Sequence, residues 1–242
     1  MRKATFILLF FLFGFAFAKN TKIVKINEVV LDIKRDIEIT VDNKIKKEKQ
    51  IIKAQIPLLT FPYKNKLFDN IKKQVYQYLI PVVDNSLLEF NSKYEVGINN
   101  GRIFSIKLYS YEYYLGAAHG NSDMTAINID LKCKRFIRFF DIFAEKKHIY
   151  DEKTKTYKEI FPLEEIKKIL KEKIQEEEKC EIFEEEFDKC SYIPQIFLKE
   201  KGVEFIFPKY EVTPGVCDSF SIEIPYENLK TYFREDIDFL KF

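Results

Sequence analysis

Apolar and polar residues alternate along the first half of the chain. Apolar side chains recur at every second position over residues 29–41, where Arg35 is the interruption, and the residues between them are polar. This period of two predicts a strand with one solvated face. A second strand is predicted over residues 51–59.

Helical spacing follows in two places. Apolar residues three or four apart predict a helix within 66–90, with a kink or break at Pro81, which lacks an N–H. A second helix should begin at Pro162, because proline suits the first helical turn. Its expected buried stripe is Leu163, Ile166, Ile169/Leu170 and Ile174, and the acidic runs 176–178 and 184–186 should continue it as a solvated face.

The remaining segments are predicted to form mainly β-structure. A meander is predicted over 94–131, with a hairpin turn at Asn99-Asn100-Gly101 and a small-residue loop at 115–120. A turn at 132–135 leads into 136–143. Further strands are expected at 193–198, 203–207 and 220–224, and a short helix at 226–233. The predicted fold class is α+β, a mainly antiparallel sheet packed against two principal helices.

The N-terminus has the pattern of a signal peptide. Arg2 and Lys3 precede an apolar stretch at 6–17, and Ala16-Phe17-Ala18 supplies the small-x-small cleavage pattern. The apolar stretch is shorter than the roughly 20 residues that span a bilayer. We therefore expect cleavage after residue 18, a mature chain from Lys19, a periplasmic or secreted location and no stable membrane insertion.

Composition and net charge indicate which classes of partner to expect. The chain has 242 residues, of which 46% are hydrophobic, enough for a sizeable core. The 40 basic and 38 acidic residues become 38 and 38 once residues 1–18 are removed. A net charge near zero gives no long-range attraction for nucleic acid, so no nucleic-acid partner is expected.

Export makes disulfide bonds possible among the four cysteines. Cys180 and Cys190 enclose a short acidic segment and are the expected pair. Cys133 with Cys217 would then form a second, long-range bond. Free buried thiols are the alternative.

The sequence contains no recognised catalytic motif. His119 and His148 are the available histidines, and neither has a nucleophile motif beside it. Six scattered glycines in the mature chain form no phosphate loop. We therefore expect no catalytic residue, metal or cofactor, and we interpret His119 as a hydrogen-bonding turn residue.

Tyrosines give the clearest functional indication. Tyr109, Tyr111, Tyr113 and Tyr114 are concentrated in the strand before the His119 loop, and the first three share a face by period two. One interpretation is a face covered by a helix, since aromatic residues favour strands. The other is a binding surface for a protein or a cell-wall glycan, with these four tyrosines and His119 as the candidate binding residues.

Two segments carry a family resemblance. The first is 111–131, with Gly-Ala-Ala-His-Gly and Asn-x-Asp-Leu, followed by Phe-Asp-Ile-Phe at 140–143. The second is Val-Glu-Phe-Ile-Phe at 203–207, then Tyr210-Glu211 and Ile-Glu-Ile-Pro-Tyr at 222–226. In this order they resemble a domain-of-unknown-function family that forms the extracytoplasmic part of the lysozyme-sensing anti-sigma factor RsiV. A related module accompanies the peptidoglycan deacetylase PdaC.

The resemblance spans residues 47–233 and implies the domain organisation. After the signal peptide at 1–18 and a strand segment at 19–46, it places an N-terminal module at 47–145 and a C-terminal module at 146–242, packed as one unit. Ala117 stands where the family usually has a second glycine, and Lys209 precedes Tyr210 where the family has proline. Neither a sigma-binding segment nor a deacetylase domain is recognised, so only the role of the extracytoplasmic module is implied.

Two functions follow as hypotheses. The first is a non-catalytic exported binding module for a lysozyme-like protein or peptidoglycan. The second is a hydrolase of envelope polymer with an unrecognised site.

The resemblance also marks two turns, with Gly116 and Gly120 in one and Tyr210 and Glu211 in the other. Both connect strands, where binding groups commonly lie. We expect these turns to meet at one end of the sheet, with Glu211 as the hydrogen-bond partner of His119.

Overall fold

The computed structural model describes residues 23–41, 44–84, 86–177, 181–189, 191–214 and 217–237. The expected signal peptide and Lys19 lie outside these ranges. Within them the chain forms eleven strands and five helices, a mixed α/β fold dominated by sheet. No helix in the same ranges is long and apolar enough to cross a membrane.

The strands are β1 (Lys25–Val41), β2 (Lys44–Thr60), β3 (Leu87–Asn99), β4 (Ile103–Tyr114), β5 (Asn121–Asp130), β6 (Arg135–Phe136), β7 (Lys147–Asp151), β8 (Thr156–Ile160), β9 (Gln195–Leu198), β10 (Gly202–Phe207) and β11 (Phe220–Pro225). The helices are α1 (Lys66–Leu79), α2 (Phe139–Ile142), α3 (Pro162–Glu176), α4 (Glu184–Asp188) and α5 (Tyr226–Leu229), followed by a 3₁₀ turn at Lys230–Tyr232.

The expectation of two principal helices is too simple. The helices α1 and α3 are the long ones, but three short helices accompany them in the described part of the chain. The acidic run 184–186 does not continue α3; it opens the separate helix α4. Helix α1 ends before Pro81, as predicted, and α3 begins at Pro162.

In the described residues the strands form sheets of six, three and two strands. The large sheet has the order β1-β2-β3-β4-β5-β6, the small sheet has the order β11-β10-β9, and β7 pairs with β8. Neighbouring strands are antiparallel except β2 and β3, which are parallel because α1 carries the chain back between them. The mainly antiparallel character of the prediction is therefore confirmed.

The two faces of the large sheet have different neighbours. On the first, which we call the helix face, Phe104, Ile106 and Leu108 of β4 are buried in one core with the apolar stripe of α1. The opposite face carries Ser105, Lys107 and the odd-numbered tyrosines of β4, and we call it the tyrosine face. Strand alternation thus separates the buried half of β4 from its functional candidates.

A second core fills the C-terminal half. The predicted stripe Leu163, Ile166, Leu170 and Ile174 of α3 is buried there. It packs in one cluster with the apolar residues of β10 and β11, and every residue of β10 is buried. The small sheet and α3 therefore cover each other.

The halves meet where β9 crosses the tyrosine face. The Asn128 amide donates to the Ile196 carbonyl at 2.7 Å, and its oxygen accepts from the Leu198 N–H at 2.9 Å. The Ser105 hydroxyl donates to the Leu198 carbonyl at 2.5 Å. A Cβ added to Gly97 would lie 2.1 Å from that same carbonyl oxygen. Two buried polar side chains and one glycine thus let the edge of β9 lie directly on the large sheet.

The structure corrects one proposed disulfide pair. Cys133 is exposed and free, whereas Cys217 is disulfide-bonded, so these two do not pair. Cys133 follows Asp130 in a tight turn, where its N–H donates to the Asp130 carboxylate at 2.8 Å. This turn belongs to β5 and β6 of the large sheet, whereas Cys217 lies in the loop before β11. Cys180 and Cys190, the other expected pair, lie outside the described residues.

Replacing Asn128 should test the contact between the halves. Asn128→Ala leaves the Ile196 carbonyl and the Leu198 N–H buried without partners, so it should lower the free energy of unfolding by about 2–4 kcal/mol. Asn121→Ala, at the exposed start of the same strand, should change it by less than about 0.5 kcal/mol. Urea titration followed by circular dichroism measures both, and equal effects would contradict the role given to Asn128.

Peptide mapping without reductant should test the cysteine assignment. Because Cys133 is free and Cys217 is bonded, Cys217 should be recovered linked to the peptide that contains Cys180 or the one that contains Cys190. Cys133 should react with iodoacetamide before reduction. A Cys180–Cys190 linkage together with a free Cys217 would be the opposite result.

Candidate functional site

Three of the four candidate tyrosines lie together. Tyr109, Tyr111 and Tyr113 occupy the tyrosine face, and all three are partly exposed. Helix α1 packs on the opposite face, so the interpretation of these tyrosines as a helix-covered layer is wrong. Tyr114 lies on the helix face, packs against its core and donates to Glu112 at 3.1 Å.

A cleft of about 380 Å³ adjoins Tyr109. Lys93 of β3 and Met124 of β5 pair with Tyr109 across the sheet and line the cleft with it. The Lys93 ammonium lies 5.0 Å from the centre of the Tyr109 ring, within the range of a cation–π contact. The cleft therefore combines an aromatic wall with a positive charge.

Ion pairs form the end of the cleft that faces β9 and β10. The Lys107 ammonium lies 2.8 Å from a Glu95 carboxylate oxygen and 2.7 Å from a Glu204 oxygen. Lys199 pairs with Glu223 at 2.6 Å and lies 3.5 Å from Glu95. These pairs bridge β3 and β4 of the large sheet to the small sheet.

The ionisation of Glu95 follows from these pairs. Burial by itself would raise its pKa, but hydrogen bonds and charge from Lys107 and Lys199 outweigh burial and hold the pKa below the ordinary value. Glu95 is therefore a carboxylate at neutral pH. A glycosidase acid needs the reverse, a carboxyl group whose pKa is raised.

The tyrosine hydroxyls stay protonated. Burial is the main cause that raises the pKa of Tyr109, and Asp218 and Tyr111 add to it. Burial, Glu89 and Asp218 act in the same direction on the pKa of Tyr111. Both hydroxyls can therefore donate hydrogen bonds to a ligand, which suits recognition of carbonyl or hydroxyl oxygens.

The loop after β4 is shaped by its glycines for two different reasons. Gly116 has a φ of +80°, which L side chains rarely adopt. At Gly120 the constraint is space, because an added Cβ would lie 2.2 Å from the Tyr111 hydroxyl oxygen. The Tyr111 ring thus packs over Gly120 and is held beside the loop.

The two marked turns do lie together. The Lys209 ammonium donates to the Gly120 carbonyl at 3.4 Å, and it lies 5.3 Å from the centre of the Tyr210 ring. Tyr210 adopts a left-handed conformation with a φ of 68° and is exposed. The link between the turns is therefore Lys209, the residue that stands where the resembled family has proline.

The expected bond between Glu211 and His119 is not formed. His119 is exposed, and its Nδ1 lies 2.9 Å from the carbonyl oxygen of Gly120. Glu211 instead interacts with Asp123 and Tyr192, and burial followed by the Asp123 charge raises its pKa. The contact between the turns is made by Lys209 and not by Glu211.

Serines anchor the C-terminal half beside Tyr111. Ser122, the β5 partner of Tyr111, donates to Asp218 at 2.9 Å and accepts from the Ser219 N–H at 3.2 Å. The Ser219 hydroxyl accepts from the Lys209 N–H at 3.1 Å. This network fixes both Lys209 and the loop before β11 against the tyrosine face.

Three charged residues of this site were not predicted from the sequence: Lys93, Lys107 and Glu204. A signal was present for Glu204, a charged residue inside the apolar run at 203–207. Lys107 stands between Ser105 and Tyr109 in the alternation of β4. Their pairing across two sheets depends on where β9 crosses, which no local pattern records. Among the described residues, no group of three or more His, Cys, Asp or Glu side chains could hold a metal ion.

The chain resembles known proteins in its overall fold and in the sequence of its C-terminal half. No curated protein matches the chain. The structure is similar to the crystal structure of a DUF3298-family member from Bacteroides fragilis, with 16% identity, coverage of 90% of this chain and 96% of that one, and a TM-score of 0.52. A DUF3298-family protein from Pseudomonas aeruginosa has 16% identity, coverage of 87% and 95%, and a TM-score of 0.49.

The family profile matches a definite segment. This segment, residues 141–227, runs from the end of α2 into α5 and contains α3 and the small sheet. The chain thus carries a match to the family described as protein of unknown function DUF3298 over residues 141–227, and it shares the fold of a solved member of that family.

Proposed function

We propose that this chain is a non-catalytic, exported binding module that recognises a lysozyme-like protein or peptidoglycan in the cell envelope. The observation that carries the proposal is the tyrosine face, where Tyr109, Tyr111 and Tyr113 remain partly exposed while the phenylalanine and aliphatic side chains of β4 on the opposite face are buried. Tyrosine gives large contact area together with a polar tip, and it is enriched in interfaces.

Rigid support favours binding at this face. The Tyr111 ring lies over Gly120, and Ser122 beside it is bonded to Asp218 and Ser219. Such side chains lose little conformational freedom when a ligand binds, which lowers the cost of association. The cleft beside Tyr109 adds the Lys93 ammonium as a partner for carbonyl, hydroxyl or carboxylate oxygens of a glycan or a protein loop.

The expected export of the chain and its family resemblance both support a partner in the cell envelope. The leader pattern at residues 1–18 supports a periplasmic or secreted location, and the segments at 111–131 and 203–226 resemble the extracytoplasmic part of RsiV and the module of PdaC. The partner is then a protein or glycan of the envelope, and it is not nucleic acid. A hydrolase is the alternative, and the ion-paired state of Glu95 argues only against Glu95 as its general acid.

Replacing two tyrosines should weaken binding. We expect the purified chain to bind lysozyme or insoluble peptidoglycan saturably, and Tyr109→Ala/Tyr111→Ala to bind about thirtyfold more weakly, the equivalent of about 2 kcal/mol for loss of central aromatic contacts. Calorimetry measures the lysozyme interaction, and co-sedimentation measures the peptidoglycan interaction.

A matched control distinguishes binding at the tyrosine face from nonspecific binding by exposed tyrosines. Tyr157→Ala removes an exposed tyrosine on the separate β7–β8 hairpin and should leave binding unchanged. Equal binding by the double variant and the wild type would refute the tyrosine face as the site. Release of soluble glycan fragments by the wild-type chain would favour the hydrolase instead.

A further inference from the structure

The outer edge of β5 is open along part of its length. Strand β6 pairs with β5 at residues 129–130, and no strand of the described residues pairs with the residues before them on that side. Alternate residues of a strand direct both backbone polar groups to the same edge. On β5 the outward residues are Ser122, Met124, Ala126 and Asn128.

Both ends of this edge are closed. The Asn128 carbonyl accepts from the Ile137 N–H at 2.8 Å, which continues the β6 ladder by one bond. At the other end, the Ser122 carbonyl accepts from the Ser219 hydroxyl at 3.2 Å. Residues 123–127 therefore lie between two fixed points.

The centre of the edge is unpaired. The Met124 N–H donates to the neighbouring Asp123 carboxylate at 2.8 Å. Among the described residues, neither the Met124 carbonyl nor the N–H and carbonyl of Ala126 has a hydrogen-bond partner. The Ala126 methyl group leaves these groups open to an approaching backbone. Another extended chain offers donors and acceptors at matching spacing.

Clefts lie on both sides of this edge. One of about 740 Å³ includes Phe140, Ile193 and Gln195 among its walls, and the Gln195 amide oxygen accepts from the Thr125 hydroxyl at 3.1 Å. The other, of about 440 Å³, lies toward the helix face and includes Tyr78. Because strand side chains alternate, successive residues of an added strand would enter the two clefts in turn.

Arg138 gives the edge a charge preference. It lines both clefts and is exposed. The nearby Asp141 carboxylate accepts from the Arg138 N–H at 2.8 Å and forms an ion pair with Arg135. No carboxylate in the described ranges forms an ion pair with the Arg138 guanidinium. Its positive charge beside the edge can therefore pair with a carboxylate of a bound chain.

We infer that the β5 edge from Ser122 to Asn128 binds an extended segment of another polypeptide as an added strand, with an acidic side chain of that segment at Arg138. This site uses the backbone edge of β5 and Arg138, it does not use the rings of Tyr109 and Tyr111, and it does not depend on the proposed function. Backbone pairing supplies the affinity, and the two clefts and Arg138 select the sequence.

Selection from a random heptapeptide library displayed on phage tests this inference. Peptides selected on the purified chain should be enriched in Asp or Glu. Ala126→Pro removes the outward N–H while leaving the bonds to β4, since proline is tolerated at an edge position whose N–H faces outward. It should weaken a synthetic copy of a selected peptide about tenfold or more, the loss of a main-chain hydrogen bond and close approach.

Charge controls complete the experiment. Arg138→Gln should weaken the same peptide about fivefold or more, whereas Lys132→Gln, an exposed charge in the turn before β6, should not. Unchanged melting temperatures establish that the variants fold. Equal binding to the wild type and Ala126→Pro, or no selected peptide, would overturn the inference. A concentration-dependent dimer lost in Ala126→Pro would assign the edge to a second copy, and binding only after removal of residues 238–242 would assign it to the chain itself.

Discussion

The contact of Asn128 and Ser105 with the outer edge of β9 determines how the rest of the molecule is arranged. An edge strand exposes unpaired backbone groups, and burying them without partners costs about 1–3 kcal/mol each. Here two side chains from the face of one sheet supply the hydrogen bonds to a strand of another. The absence of a side chain at Gly97 allows the close approach. These hydrogen bonds hold β9 against the large sheet at the point where it crosses.

The same crossing determines which part of the tyrosine face is available. Strand β9 covers the face at Ser105 and Asn128. At the next position of β4 on this face, Lys107 forms ion pairs with Glu95 and Glu204. Beyond Lys107 the face carries tyrosines that nothing in the described part of the chain covers completely. A structural contact at one end of β4 and a candidate binding surface at the other therefore follow from one strand alternation.

Local patterns predicted the elements better than their contacts. The alternation at 29–41 and 51–59 predicted β1 and β2, and Pro81 and Pro162 marked the end of α1 and the start of α3, because these signals act within a few residues. The hairpin of β7 and β8 was not predicted. The shared face of Tyr109, Tyr111 and Tyr113 followed from period two, but its exposure did not, since α1 could have packed on either face. The proximity of the two turns was expected, yet Lys209 makes the contact in place of Glu211.

The proposed binding of a ligand at the tyrosine face can be measured directly. Its most direct measurement is an NMR titration of the chain with ¹³C-labelled tyrosine rings, using lysozyme in one series and solubilised peptidoglycan fragments in the other. The account predicts that ring signals of Tyr109, Tyr111 and Tyr113 shift in at least one series, while those of exposed Tyr157 and buried Tyr226 remain unchanged. Shifts confined to tyrosines outside this face would contradict it.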